Sequence, residues 1–109
     1  MGVIKYFDDK YQNFALVMSE NEDWNNAEQV QVQVMTMRKK KLGKKHLKTL
    51  TSMESLAKIY WSQGRWNEAE QLQVQVMEMR KKLLGAGHPD TLSSMGSLAK
   101  IYWSQGRWN

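Results

Sequence analysis

The nine letters IYWSQGRWN occupy residues 59–67 and return at residues 101–109. The two copies lie 42 residues apart, and shifting the chain by that distance matches residues 25–66 with residues 67–108 at 32 of 42 positions. Such duplication is typical of an array of stacked units, in which each unit packs against its neighbours instead of around one central core. The sequence therefore predicts a repeat protein with a period of 42 residues.

The first helix of each unit is predicted from its apolar spacing and from the residues at its ends. In the second copy, apolar residues recur at steps of three and four, as on one stripe of a helix. They are Ala69, Leu72, Val76, Met79 and Leu83. Asn67 is the predicted N-cap, and Gly85 is predicted to end the helix. The matching helix of the first copy is predicted from Asn25 or Asn26 to Leu42.

The second helix of each unit is predicted to begin after Pro89, which cannot lie inside a helix, with Asp90 as its N-cap. Its apolar face follows the same helical spacing and consists of Leu92, Met95, Leu98, Ala99 and Tyr102. In the first copy the same helix is predicted at residues 48–62, with Thr49 as the best available cap. Residues 4–22 fit a diverged copy, so we predict about five antiparallel helices.

The predicted division of the chain is a diverged first helix at residues 1–24 followed by two repeat units, 25–66 and 67–109. Trp66 and Trp108 follow the Gly-Arg turn of each unit and are predicted to be buried at the entry to the next helix. The last helix is predicted without a following partner helix, which leaves apolar surface open. We therefore expect a homo-oligomer.

The spacing of Leu56, Ala57, Tyr60, Gly64 and Ala69 resembles the tetratricopeptide repeat (TPR), in which small residues let two helices approach closely. The 42-residue period and the linker LGAGHPDTL resemble the kinesin-light-chain type of that family. The stretch YWSQGRWNEAEQLQVQVM is similar to the repeats of fungal NOD-like receptor proteins. The resemblance implies an all-α fold, an α-α superhelix, that works as a protein-protein interaction scaffold.

The resemblance also implies a concave groove lined by the second helix of each unit. Transferred to this sequence, the groove positions come from two successive helices: Glu54, Lys58, Trp61 and Ser62, then Gly96, Lys100, Trp103 and Ser104. Two lysines flanked by tryptophans suit an extended partner segment with acidic and apolar residues, because the ammonium attracts and the indole supplies contact area. Whether Trp61 and Trp103 lie in the groove or in the core stays open.

One departure from the family pattern concerns Gln31 and Gln73, which fall where the family often has a bulky aromatic residue. A different class of protein also stays open: a structural or engineered repeat fragment that self-associates and binds no external ligand. Lys58 and Lys100 are equivalent and identical in the two copies, as are Trp61 and Trp103, and this does not separate the alternative from a peptide-binding module.

No catalytic, cofactor or metal-binding motif stands out in the sequence, so an enzyme is not predicted. His46 and His88 lie one period apart in the loops, and Asp90 is the lone nearby ligand type. We predict that these histidines hydrogen-bond the linker. The run RKKKLGKK at residues 38–45 could release counterions from nucleic acid, but cations at a helix C-terminus are also favoured locally. A solvated helix end is the preferred interpretation, and salt-sensitive nucleic-acid binding is the weaker one.

Composition excludes further classes of protein. The chain has no cysteine, which excludes a disulfide framework and a thiolate site and favours a reducing compartment. No apolar run approaches the roughly 20 residues that span a bilayer, and the N-terminus lacks the apolar stretch of a signal peptide. We expect a soluble, cytoplasmic protein that makes no membrane contact.

Overall fold

The computed structural model describes residue 12 and residues 23–106. Every regular element within residues 23–106 is an α-helix, and there are four of them. They are α1 (Trp24–Leu42), α2 (Leu47–Ser62), α3 (Trp66–Leu84) and α4 (Pro89–Ser104). The all-α prediction is confirmed, whereas the helix predicted at residues 4–22 lies outside the described residues except at residue 12.

Consecutive helices run antiparallel and pack in chain order. The start of α1 meets the end of α2, where Gln63 Nε2 donates to Asn25 Oδ1 at 3.2 Å. The same bond recurs one period later, from Gln105 Nε2 to Asn67 Oδ1 at 2.9 Å. The result is a row of helical hairpins, 48 × 33 × 19 Å, in which α2 packs against both α1 and α3. None of the helices in this part of the chain is long and apolar enough to cross a membrane.

Glycines end α1 and α3 as predicted. Gly43 and Gly85 have φ values of 94° and 96°, which side chains with a Cβ rarely adopt. Each donates its N–H to the carbonyl four residues earlier. The predicted N-cap Asn67 is wrong, because α3 already begins at Trp66 and the backbone of Arg65 occupies the cap position without a side-chain bond. Likewise α1 begins at Trp24, one residue before the predicted range.

Histidines cap the other two helices. The N–H of Asp90 donates to His88 Nδ1 at 3.0 Å, and the N–H of Lys48 donates to His46 Nδ1 at 3.1 Å. The predicted caps Asp90 and Thr49 are therefore wrong, because each lies inside the first turn of its helix. The histidines were predicted to bond the linker; their imidazole rings instead bond the first turn of the helix that follows it. Imidazole can take this role because its unprotonated nitrogen accepts a hydrogen bond as an Asn oxygen does.

The apolar core lies between α2 and α3. Leu50, Met53 and Val76 are buried and in mutual contact, with three partly buried side chains packed around them. These are Met35, Leu72 and Met79. Burial of a side chain of this size stabilises the fold by about 1.5–3 kcal/mol. The cluster joins two successive repeat units, so neither unit completes this core alone.

The buried stripe of α3 differs from the predicted apolar one. Its most buried residues are Ala69, Gln73, Val76 and Arg80, whereas Leu83 is exposed. The stripe of α1 matches it one period earlier, with Ala27, Gln31, Val34 and Arg38. We call the four buried polar residues Gln31, Arg38, Gln73 and Arg80 the polar seam. The seam bonds to serines of the following helix, since Arg80 Nη1 donates to Ser94 Oγ at 2.6 Å and Arg38 Nη1 to Ser52 Oγ at 2.7 Å.

A buried ion pair links α2 to α3. Arg80 Nη1 lies 2.8 Å from Glu54 Oε2, and both side chains are largely buried. One period earlier Gln12 takes the place of Glu54, and its Oε1 accepts from Arg38 Nη1 at 3.4 Å. The corresponding position in α4 is Gly96. The side chain that accepts from the arginine therefore differs between the two units: it is Gln12 for Arg38 and Glu54 for Arg80.

The outer face of α4 remains exposed. Leu92 is 53% exposed, whereas its equivalent Leu50, which α3 covers, is 1% exposed. Ala99 is likewise exposed and its equivalent Ala57 buried. Leu50 and Ala57 are thus buried in α2 while their equivalents in α4 are exposed, because burial depends on the neighbouring helix.

Candidate functional site

A groove of about 360 Å³ lies where α2 and α4 come together. Its walls come from α2 and α4, and its remaining lining comes from α1 and α3. The lining residues with polar or aromatic side chains are Trp24, Gln31, Ser55, Lys58, Trp61, Ser62, Gln73, Ser97 and Lys100. Its volume falls at the lower end of the range for ligand sites in proteins. The described lining contains two cations and no carboxylate.

The structure brings four of the predicted groove residues together: Lys58, Trp61, Ser62 and Lys100 all line this cavity. Ser104 lies beside them and accepts a hydrogen bond from Trp61. Besides Ser104, three predicted residues do not line it: Glu54, Gly96 and Trp103. Trp103 is 65% exposed, and the carboxylate of Glu54 is bound to Arg80.

Trp61 is held in place by two contacts from α4. Its Nε1 donates to Ser104 Oγ at 2.7 Å, and the Nζ of Lys100 lies 4.2 Å from the centroid of its ring. Lys100 is thereby positioned by a cation–π interaction, which is strongest with an indole. Trp61 is half-buried, so it lies at the groove wall and partly in the packing between α2 and α4.

Glutamine side chains form part of the groove lining. The Nε2 of Gln73 donates to the Ser94 carbonyl at 3.3 Å, and the Nε2 of Gln31 donates to the Ser52 carbonyl at the same distance. The Oε1 atoms of both glutamines are buried and lack a hydrogen-bond donor. An unpaired buried carbonyl of this kind costs about 1–3 kcal/mol. Gln31 and Gln73 are the two residues at positions where the family pattern often has a bulky aromatic residue.

Trp66 is 38% exposed, so its predicted burial is wrong, while Trp108 lies outside the described residues. The Nε1 of Trp66 donates to the carbonyl of Trp61 at 3.2 Å, which joins the start of α3 to the end of α2. The ring therefore supports the turn from the surface.

Arg65 organises the turn between α2 and α3. Its guanidinium donates to Glu28 at 2.7 Å and to Glu68 at 2.6 Å, and it stacks 4.1 Å from the ring of Tyr60. The hydrogen bond from Arg65 lowers the pKa of Glu68 below its ordinary value. Burial, and then the charge of Glu28, raise the pKa of Tyr60, while Arg65 opposes that change. Through Arg65 this turn is joined to α1, α2 and α3.

Two lysines of the basic run, Lys39 and Lys44, line a second cavity together with Lys82 of α3. The apolar residues of its lining include Leu50 and Met53. Glu78 also lines this cavity, so the cavity has charged side chains of both signs, whereas the described lining of the groove has cations alone. The placement keeps the lysines near the end of α1 and of α3, as the favourable helix dipole predicts.

Sequence reasoning missed the polar seam. It assigned Arg38, as part of the run at residues 38–45, to a solvated helix end, although Gln31 and Arg38 are seven residues apart and so share one face of α1. That spacing, repeated at Gln73 and Arg80, was the available signal. Within residues 23–106, no group of His, Cys, Asp or Glu side chains is arranged to hold a metal ion.

The row of antiparallel hairpins with a groove between alternate helices defines an α-helical repeat protein. A family model for the tetratricopeptide repeat matches residues 9–47 and 49–90. The chain belongs to the tetratricopeptide repeat family. A search of curated proteins found no match.

Solved structures give the same fold. The crystal structure of a Podosopora anserina protein assigned as a kinesin light chain, with nearly identical TPR-like repeats, superposes with a TM-score of 0.82 at 29% identity. The match covers 91% of this chain and 47% of that one, so this chain spans about half its length. BtubC (BKLC) from P. vanneervenii superposes with a TM-score of 0.83 over 90% of this chain and 39% of its own, at 17% identity. The predicted resemblance is thus confirmed as a structural match to kinesin-light-chain-like TPR proteins.

Proposed function

We propose that this chain is a protein-protein interaction scaffold that binds an extended, acidic segment of a partner in the groove between α2 and α4. Tetratricopeptide repeats are generally protein-interaction scaffolds, and the fold is typically non-catalytic. The observation that carries the proposal is the charge of the groove, in which Lys58 and Lys100 are the charged residues of the described lining. An acidic segment gains attraction there without meeting a carboxylate.

Trp61 supports the same proposal as the apolar contact of the groove. Because Ser104 and Lys100 hold its ring from α4, little side-chain freedom is lost when a partner packs against it. Aromatic side chains held in this way are frequent anchors at protein interfaces. Ser62 adds a hydroxyl at the same wall. The proposed contacts are thus Lys58, Trp61, Ser62 and Lys100, with Ser104 as support.

The experiment is a titration of the full chain with an acidic peptide and with a DNA duplex at two salt concentrations. We expect saturable binding of the peptide that Lys58→Glu weakens about tenfold, because the substitution repels the carboxylates. Lys45→Glu is the matched control, since it makes the same charge change outside the groove. Equal, salt-sensitive binding of DNA and peptide, with equal loss in both variants, would show nonspecific charge attraction instead.

A second candidate function is self-association through the exposed face of α4. It rests on Leu92, which is 53% exposed, and Trp103, which is 65% exposed. Two such side chains on one helix favour contact with a second copy of the chain. Size-exclusion chromatography with light scattering tests it: we expect a homo-oligomer that Leu92→Glu dissociates. A strict monomer at high protein concentration would rule this candidate out.

We further propose that the interaction takes place in the cytoplasm, as the cysteine-free composition predicts. The narrower resemblance to repeats of fungal NOD-like receptor proteins stays a prediction. Fractionation of cells that produce the full protein would test the location.

A further inference from the structure

The second cavity lies between α1, α2 and α3 and shares no lining residue with the groove. Its volume is also about 360 Å³, at the lower end of the range for ligand sites in proteins. The described residues that line it are Lys39, Lys44, Leu50, Met53, Val74, Gln75, Glu78, Met79 and Lys82. The proposed peptide-binding function uses none of them, so this cavity is available to a second ligand.

The lining changes from apolar to cationic between the deep end of this cavity and its mouth. Leu50 and Met53 are 1% and 6% exposed and belong to the core between α2 and α3, so they form the deep end. Lys39, Lys44 and Lys82 are exposed to solvent, so they form the mouth. A molecule that fills the cavity therefore needs an apolar part inside and a charged part at the opening.

The mouth has an excess of positive charge. The described lining contains three lysines and one carboxylate, that of Glu78, and none of these lysines forms an ion pair with another residue of 23–106. Lys39 comes from α1, Lys44 from the linker and Lys82 from α3, so three separate elements bring ammonium groups to one opening. An anion at the mouth is attracted by all three, and Glu78 opposes only part of that attraction.

Lys44 makes the charge of this cavity particular to one junction between repeat units. One period later its position is taken by Ala86, in the linker LGAGHPDTL that carries the family resemblance. The first copy has LGKKHLKTL instead. The apolar residues Leu50 and Met53 recur as Leu92 and Met95, so the deep end belongs to the repeat and the full cationic mouth to this junction.

The apolar part of the cavity suits one unbranched alkyl chain. The apolar side chains of the described lining are aliphatic or thioether groups, without an aromatic ring. Met53 and Met79 are unbranched and adaptable, so they can pack against a flexible chain. The small volume favours one chain over the two of a phospholipid.

We propose that this cavity binds a free fatty acid, with its alkyl chain against Leu50 and Met53 and its carboxylate among Lys39, Lys44 and Lys82. The site lies outside the groove and goes beyond the protein-protein interaction function. Because Leu50 and Met53 belong to the core that joins two repeat units, the ligand contacts this junction and stabilises the folded chain by mass action.

The test is calorimetric titration of the full chain with hexanoate, octanoate and decanoate, each below the concentration at which it forms micelles. We expect saturable binding at one site, with an affinity that rises about three- to fourfold for each added methylene group. Decanol should bind about threefold more weakly than decanoate, because it makes no ion pair. Equal affinity of the acid and the alcohol, or no binding of any fatty acid, would overturn the proposal.

Variants at the mouth locate the carboxylate. Lys44→Ala reproduces the second unit, which has Ala86, and should weaken the binding of decanoate about threefold. Lys82→Gln should have a similar effect. Lys81→Gln is the matched control, because it removes the same charge from an exposed neighbour outside the lining. Equal losses in the Lys81 and Lys82 variants would show general charge attraction and overturn the assignment of the mouth.

A variant that fills the cavity locates the alkyl chain. Gln75 lines the cavity from an exposed position of α3, so Gln75→Phe can occupy it without replacing a core residue. It should weaken decanoate about tenfold or more, because several methylene groups lose their burial. Gln71→Phe, one turn earlier at an exposed position outside the lining, should bind as the native chain does. Circular dichroism checks that both variants keep the native helical content. Native affinity in Gln75→Phe would place the fatty acid elsewhere and overturn the proposal.

Phospholipid vesicles distinguish a free fatty acid from a lipid surface. We expect decanoate to raise the melting temperature of the chain, and we expect no sedimentation of the chain with vesicles of anionic phospholipid. Sedimentation that is lost in Gln75→Phe would overturn the free acid as the ligand in favour of a membrane. The peptide titration is independent of these outcomes, because the cavity and the groove share no lining residue.

Discussion

The indole Nε1 of Trp61 donates a hydrogen bond to the hydroxyl of Ser104 at 2.7 Å, across 43 residues of sequence. Ser104 also donates to the carbonyl of Lys100 at 3.1 Å, so its hydroxyl is oriented by its own helix. The bond connects the ends of two equivalent helices, α2 and α4, and places Trp61 at the groove wall. The end of one repeat unit thus positions the aromatic residue of the previous one.

Replacing Trp61 by Phe should lower the free energy of unfolding by about 0.5–1.5 kcal/mol beyond any packing change, because the bond to Ser104 is lost. Urea denaturation measures the loss. Ser104→Ala should cost a similar amount, and the double variant should cost little more than either single one. Fully additive losses would contradict an interaction between these two residues.

The ion pair of Glu54 with Arg80 predicts that the loss of stability depends on the residue that replaces Glu54. Glu54→Ala should lower the free energy of unfolding by about 2–3 kcal/mol, because a largely buried guanidinium loses its carboxylate. Glu54→Gln should cost less, about 1 kcal/mol, because an amide oxygen can still accept, as Gln12 does from Arg38.

Glu78→Ala is the matched control for Glu54, since it removes the same charge from an exposed position of α3. Chemical denaturation of the three variants provides the comparison. Equal stability of Glu54→Ala and Glu78→Ala would mean that the buried pair contributes nothing.

Two glycines should respond in opposite directions to alanine. Gly96 lies inside α4, and a Cβ there would meet nothing within 4 Å. Gly96→Ala should therefore raise stability by about 0.5–1 kcal/mol, as expected for a helix interior. Gly85→Ala should lower stability by a similar or larger amount, because φ is 96° at that residue. Thermal unfolding measured by circular dichroism tests both variants. Melting temperatures that shift in the same direction would contradict the different backbone roles of Gly96 and Gly85.

The bond between Arg65 and Glu68 predicts a dependence on pH. Because the pKa of Glu68 is lowered in the folded state, its contribution to stability is complete above the ordinary pKa of 4.5. It is lost as the pH falls through the lower, folded-state pKa. The effect should be small and sensitive to salt, because Glu68 is exposed. Unfolding curves of the native chain and of Glu68→Gln across this range should converge at acid pH, and a constant difference between them would be inconsistent with the assignment.

Part of the candidate site could be predicted from the sequence. Lys58, Trp61, Ser62 and Lys100 follow from the repeat period together with the family pattern, and all four line the groove. The exposure of Trp103 and the pairing of Glu54 with Arg80 could not be predicted, because each depends on which helix lies opposite. Trp61 and Trp103 have the same sequence context but different neighbours.

The amino-acid sequence alone determined the helices and their glycine ends, because these depend on residues within one or two turns of each other. It also determined the 42-residue period, because the repeat can be read directly from the order of the residues. Tertiary structure alone decided which polar residues are buried. Gln73, Arg80 and Glu54 look solvent-facing in a linear pattern, and they become a connected interior only when α2, α3 and α4 pack together. The physical reason is that a buried polar group is stable only with a partner, and the partners of these three residues lie between 10 and 26 residues away.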